Sequence, residues 1–351
     1  MARVALSPTT VPKESGKTMG TVLYVTKPGA CVHQTHGRIR VMLGPKLLQE
    51  IRVADIERVV ILGGTAGLTS AAAAVLMEAG VETAYLSSSG HFRGWLSPAK
   101  GRGVTLRLAQ FAAYSDPKRR LDIARVIVKQ KIRNGDVLLA RFARNHRGFD
   151  PSTEQGRMRR ALDRAASASD IAELLGHEGV AASAYFSAFG RMLGHGFRFA
   201  SRSRRPPLDA ANALLSLAYT LVSAECTNAV AGAGLDPALG MLHSPEDGRP
   251  SLGLDLAEEF RQPIADRVVL AVVNNRVITL GEFANASPED GFRLTDQARR
   301  RFYQAYEERM TEEFRARPNT GPTCFRECVR AQAHLLARAL SSGEYAPFPL
   351  R

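Results

Sequence analysis

The pattern of apolar and polar positions changes character about 100 residues into the chain. From Thr21, short runs with apolar residues at alternate positions are separated by glycine- and proline-marked breaks. TVLYV, CVHQTHGRIRVML and LLQEIRV read as strands, with turns at Pro28-Gly29 and Gly44-Pro45. ERVVILG and VETAYLS read as two more. Between them TSAAAAVLMEAG reads as a helix ending at Gly80, and HFRGWLSP adds a last strand. Beyond the compact stretch Pro98 to Gly103, apolar residues recur at helical spacing. LRLAQFAAYS, PKRRLDIARVIVKQKIRNGDVLLARFARN and the long RMRRALDRAASASDIAELLGHEGVAASAYFSAFGRML all show it. ANALLSLAYTLVSAECTNAVAGAG and DRVVLAVVNNRVI are apolar on most sides, as interior helices are. An amphipathic stretch from Thr295 to Met310 follows, with another after Pro322.

These elements predict an α+β protein in three parts. Residues 1–19 form a flexible leader, 20–100 a small β-rich N-terminal domain, and 104–351 a larger all-helical domain. At 351 residues both domains are large enough to bury their own cores. The strand, glycines, helix and strand of RVVILGGTAGLTSAAAAVLMEAGVETAYL imitate a dinucleotide-binding unit. Counting from Gly63, that fingerprint needs glycine where the chain has Thr65 and Leu68, and the second strand ends in Leu86-Ser87-Ser88 without an acidic residue for a ribose. A plain β–α–β crossover is the expectation.

Charge adds a partner. The formal net charge is +13 and the isoelectric point about 10.0, which favours a polyanion, with nucleic acid the first candidate. An arginine-rich composition without a nucleic-acid role gives the same number. The start, MARVALSPTTVPKESGKTMG, lacks the apolar stretch of an export signal, and Val268 to Val273 is too short to cross a bilayer. A cytoplasmic protein without a membrane partner is expected. Cys31, Cys226, Cys324 and Cys328 do not form a disulfide framework; Cys324 and Cys328 are one helical turn apart but lack a second pair for zinc, so buried thiols are expected.

Four residues carry candidate chemistry. Glu178 sits beside the small-residue and aromatic run Ala181 to Phe189, where a half-buried carboxylate needs a partner. His243 lies in a loop marked by glycine and proline, and Asp255 and Glu258 are spaced to share one helix face. Taken singly, each reads more simply as an ordinary surface, loop, core or first-turn residue. The imidazole with two of the three carboxylates makes a hard donor set suited to Mg²⁺ or Mn²⁺. Arg198, Arg202, Arg204 and Arg205 cluster before Pro206-Pro207; their forks suit phosphate, or form a solvated charge run.

The strings SRSRRPPLDAANALLSLAYTLV, GLDPALGMLHSPEDGRPSLGLDLAEEFR and GHEGVAASAYFSAFG, in this order, resemble the CRISPR-associated integrases that insert new spacers into CRISPR arrays. TVLYVTKPGACVH and QAHLLARALSSGEYAPF fit the same family. The resemblance implies a β-rich domain used in homodimerisation and a helical catalytic domain. It implies one divalent metal held by Glu178 in GHEG, His243 in GMLH and Glu258 in DLAEEF. Relatives often have Asp as the third ligand, so Asp255 is a candidate to share or take that role. The implied substrates are double-stranded DNA, both the captured fragment and the CRISPR repeat. The implied partner is a small second adaptation protein bridging two dimers. Two other readings stand beside this one: a structure-specific metal-dependent DNA nuclease, and a catalytically silent DNA-binding protein.

Overall fold

The computed structural model describes residues 21–87, 92–96, 104–204, 206–284, 291–315, 321–342 and 344–349. The expected leader, the stretch Pro98 to Gly103, and Arg205 lie outside them. The chain divides into two compact units, 1–101 and 102–351.

The first unit holds two four-stranded sheets. In one, β1 (Thr21–Val25), β5 (Ile56–Leu62) and β7 (Glu82–Leu86) run parallel, and β8 (Phe92–Leu96) closes the edge antiparallel. Interior strands are covered on both faces, which is why β5 is a nearly unbroken apolar run. The crossover from β5 to β7 carries α1 (Ser70–Glu78). Thr69 caps its start by accepting from the Ala72 N–H, and Gly80, at φ 76°, ends it in the left-handed region. The other sheet has the order β4 (Lys46–Arg52), β3 (Arg38–Leu43), β2 (Cys31–Thr35), β6 (Gly67–Leu68). The stretch CVHQTHGRIRVML, expected as one strand, is thus a hairpin. It turns at His36 and Gly37, both with positive φ (48° and 74°), as a tight two-residue turn requires. Leu23, Val32, Ile39, Val59, Ile61 and Leu76 form the core of this unit.

The second unit is built from α2 (Val104–Ser115), α3 (Pro117–Asn145), α4 (Ser152–Ser167), α5 (Ile171–Met192), α6 (Ala210–Gly232), α7 (Ser251–Ala257), α8 (Arg267–Asn274), α9 (Asp296–Thr311) and α10 (Phe325–Ser342). A two-residue antiparallel pair, β9 (Phe283–Ala284) with β10 (Arg293–Leu294), interrupts the helices. Asp116 caps α3 and Pro117 occupies its first turn. The stretch of helical spacing from Arg157 to Leu193 is two helices, α4 and α5. Ala168 is extended, and Asp170 restarts the helix by accepting from the Glu173 N–H. By length and composition α6 could cross a membrane, yet 72% of its apolar window is buried against protein. Between α7 and α8, residues Arg261–Asp266 form a π-helix. Pro263 within it has no N–H for an α-helical ladder, and a wider turn accommodates the missing bond.

Candidate active site

Glu178 projects from α5, Lys131 from α3, and Glu258 from the end of α7, while His243 rides on the loop leading into α7. Asp255 organises that loop. Its Oδ2 accepts from the N–H groups of Met241 (2.5 Å) and Leu242 (2.9 Å), and its Oδ1 from that of His243 (2.9 Å). Oδ1 also lies 2.7 Å from His243 Nδ1. With Nδ1 held as the donor, the Nε2 lone pair is left free on the opposite side of the ring. Asp255 is fully buried and its oxygens are occupied, so it orients the imidazole. The loop fits this closely only because residue 240 is glycine. A Cβ there would stand 2.7 Å from the His243 carbonyl and 2.9 Å from Asp255 Oδ2. Likewise Gly253 lets α7 settle on α6, since a Cβ would fall 2.2 Å from Thr227 Oγ1.

His243 Nε2 faces Glu258, 3.9 Å from Oε1. Arg261 lies 2.8 Å from that same oxygen. Lys131 Nζ stands between the two glutamates, 2.5 Å from Glu178 Oε1 and 2.6 Å from Glu258 Oε2. The second of these contacts is close but off the line of a directed hydrogen bond, leaving Oε2 buried with only ionic contact. Burial alone would raise the pKa of Glu258; Arg261, Lys131 and His243 outweigh it and bring the group down to about 2. Glu258 is therefore a carboxylate throughout the working pH range.

The cluster borders a hollow of about 650 Å³ lined by Lys131, Glu178, Phe186, Arg202, Arg204 and Arg261. Arg204 and Arg198 are exposed. Arg202 is half-buried and engaged: it donates to Ser203 O, to Asn212 Oδ1 at 2.8 Å and to Ser216 Oγ at 3.2 Å, securing the first turns of α6. The Tyr219 ring is flanked by the guanidiniums of Arg202 and Arg261, 5.2 Å and 4.8 Å from its centroid. Beneath it the hydroxyls of Tyr219 and Tyr185 donate to the buried Asp266, at 2.7 Å and 2.6 Å. Burial pushes Asp266 up to about 6.

Glu178, His243 and Glu258 thus come together, with Asp255 behind the imidazole. Lys131 and Arg261 are the residues that sequence reasoning missed. Lys131 left one signal, its place beside Ile127, Val128 and Ile132 on the buried stripe of α3. Among the described residues, no three His, Cys, Asp or Glu side chains close on a metal ion as they stand, because the ammonium occupies the space between the glutamates. The donors nonetheless suit a hard divalent cation: two carboxylates, a buried oxygen without a directed hydrogen bond, and an oriented imidazole. Lys131 would have to release the glutamates for one to enter. Cys226, Cys324 and Cys328 are buried thiols, as expected, and burial pushes the Cys328 thiol up to about 11.

The sequence matches the family described as CRISPR associated protein Cas1 over residues 23–308. CRISPR-associated endonuclease Cas1 3 of Thermus thermophilus is 41% identical over 345 residues, covering 96% of this chain and 99% of that protein. A CRISPR-associated exonuclease Cas4/endonuclease Cas1 fusion of Geobacter sulfurreducens is 37% identical, the match covering 93% of this chain and 58% of the fusion. Among solved structures, a Cas1 protein from Thermotoga maritima superposes with a TM-score of 0.79 at 25% identity, covering 94% of this chain and all of that one. A casposase bound to its integration product shares the fold, with a TM-score of 0.82 at 22% identity over 93% of this chain and 92% of its own. On these matches and the site they enclose, the chain belongs to the Cas1 family of CRISPR-associated proteins.

Proposed function

We propose that this protein is a metal-dependent DNA integrase and endonuclease that inserts DNA fragments as new spacers into a CRISPR array. In the reaction, a fragment's 3′-hydroxyl oxygen bonds to a phosphorus at the repeat edge while that phosphorus loses its bond to the neighbouring strand oxygen. One phosphodiester replaces another, so no nucleotide cofactor is needed. The observation that carries the reading is the convergence of Glu178 and Glu258 on one ammonium, with His243 beside Glu258 and Asp255 fixing its ring.

Glu178, His243 and Glu258 would hold Mg²⁺ or Mn²⁺, which supplies Lewis-acid polarisation of the scissile phosphate. Glu258 is ionised for that task at any working pH. Asp255 keeps Nδ1 of His243 as donor and so keeps Nε2 available. Arg261 and Lys131, already drawn to the glutamates, supply positive charge beside the phosphate. Arg204, at the rim of the hollow, and Arg198 and Arg205 in the same segment are our candidates for backbone contacts that set register. The first unit serves homodimerisation, and a small second adaptation protein bridges two dimers.

The test is a half-site integration assay with the small partner, a 3′-hydroxyl duplex and a supercoiled repeat-bearing plasmid. Joining is expected with manganese, stops on chelation, and returns when manganese is restored. His243→Ala should lower it by about 100-fold or more, since a metal ligand is worth at least as much as the outer-shell groups that support it. Joining that persists in the variant would remove His243 from the site. Cutting without joining would favour a structure-specific nuclease, and tight binding with no product a silent DNA-binding protein.

A further inference from the structure

Ten residues along α3 from Lys131, the helix passes a second hollow, of about 640 Å³, between residues 138–146 and 267–275. Arg141, Arg144 and Arg267 line it, with Phe142 and His146, and no Asp or Glu does. Arg141 and Arg267 are half-buried. Among the described residues, none of the three guanidiniums has a side-chain hydrogen bond or an ion pair. A fourth, Arg309, stands behind them, donating to the Pro263 carbonyl at 3.0 and 2.8 Å. Burial and the repulsion of Arg267 push Arg309 down to about 10 even with Glu312 beside it, and burial with Arg267 and Arg144 also lowers Arg141. Arg309 has Glu312 as its counter-charge, but Arg141 and Arg267, partly withdrawn from water with no carboxylate in the lining, are costly to hold together unless an anion completes the site. The Phe142 and His146 rings, stacked at 3.7 Å and 5° apart in plane, give the hollow a flat wall.

We infer that this hollow is a second phosphate-binding site, which holds the backbone of a DNA strand engaged at the Glu178–His243–Glu258 cluster. The inference rests on the DNA-acting reading of that cluster. Both places are made by the same two elements. Lys131 and Arg141 lie on α3, and Glu258 and Arg267 lie on the run from α7 through the π-helix into α8. At about 1.5 Å per residue, Lys131 and Arg141 are about 15 Å apart along the helix, a span that a few nucleotides of one strand bridge. Arginine forks with no competing carboxylate suit phosphate oxygens, and the spacing suits a strand running between the two places.

The experiment is fluorescence anisotropy of a labelled duplex against salt concentration, on the whole protein, with wild type and Arg141→Gln/Arg267→Gln, thermal melts confirming folding. The expected result is a rise in Kd and a fall of about two in the slope of log K against log salt, about 0.9 per phosphate contact. Arg141→Lys/Arg267→Lys should keep most of the slope. If the double glutamine variant fails to fold, exposed Arg144→Gln alone should lower the slope by about one. An unchanged slope in a folded variant overturns the inference, as does a lysine variant that loses as much as the glutamine one. Protection from thermal unfolding by inorganic phosphate, lost in the variant while the DNA slope is unchanged, would assign the hollow to a small anion and also overturn it. Wild type that joins DNA while the variant slope is unchanged sinks only this inference; wild type that binds no DNA sinks the integrase reading as well.

Discussion

The two sides of the segment that ends α7 treat neighbouring glutamates in opposite ways. Glu258 looks toward α3 and α5, where Arg261, Lys131 and His243 overcome burial and hold it at about 2. Glu259 looks away, toward the segment 344–349. There burial pushes it up to about 8, only partly opposed by the Tyr345 hydroxyl and by the Phe348 N–H at 2.7 Å from Oε2. The Glu259 carbonyl in turn accepts from Asn134 of α3 at 2.8 Å. Both carboxyls are withdrawn from water, and among the described residues what separates them is the presence or absence of a neighbouring cation. The side with cations is suited to chemistry, and the neutral side anchors the backbone behind it. Burial alone therefore does not mark an active group.

The largest effect should come from Glu258→Gln. It strands Arg261 and Lys131 without their shared carboxylate, and breaking such a buried pair costs about 3–5 kcal/mol. Urea unfolding should show that loss together with loss of joining; unchanged stability would mean the two cations find water instead. Next comes Glu259→Gln. A carboxyl raised in the folded state contributes stability that is present below its unfolded pKa and lost as pH rises through the folded value. For Glu259 that window runs from the ordinary carboxylate range up to about 8. Wild type should lose on the order of 5 kcal/mol across it, a loss that the glutamine variant escapes. Parallel pH–stability curves for the two proteins would count against the neutral assignment. For Glu258 the sign reverses, its stabilisation being present at neutral pH and lost only as pH falls toward about 2.

Asp255→Asn should act on function more than on stability. It weakens the hold on His243 Nδ1 and three backbone N–H groups, so manganese affinity, read by titration of joining activity, should drop about 10- to 100-fold. An unchanged manganese titration would end its role as orienter. The smallest effect belongs to Tyr345→Phe. Removing one hydroxyl from Glu259 should cost about 1 kcal/mol and leave the manganese dependence unaltered.

Much of this was legible in the chain, for identifiable reasons. The apolar run of β5 and the helical periodicity of α3 and α6 report burial directly, so the order of strands and helices could be read. The hairpin at His36 could not, because a histidine at positive φ breaks the usual turn signature. Nor could the break between α4 and α5, where Asp170 restarts the helix without glycine or proline. At the site, the spacing of Asp255 and Glu258 placed them on one helix face, but spacing does not tell which oxygen meets a backbone N–H and which meets a cation. Lys131 was hidden because a charged residue in a long, polar-rich helix looks like surface until its neighbours are known. The link between Glu259 and Tyr345 spans a sequence separation of 86, a contact no local pattern encodes.

The π-helix at Arg261–Asp266 sets how this segment can vary over evolutionary time. Each residue added to or removed from a helix turns everything downstream by about 100°. Substitutions within the wide turn leave that phase alone. Deleting one residue while tightening the wide turn to a regular α-helix would leave Arg267 and the rest of α8 near their present phase, because the wide turn carries one residue more over nearly the same rotation. The wide turn thus acts as a phase buffer, a place where lineages can gain or lose one residue while α8 keeps its neighbours.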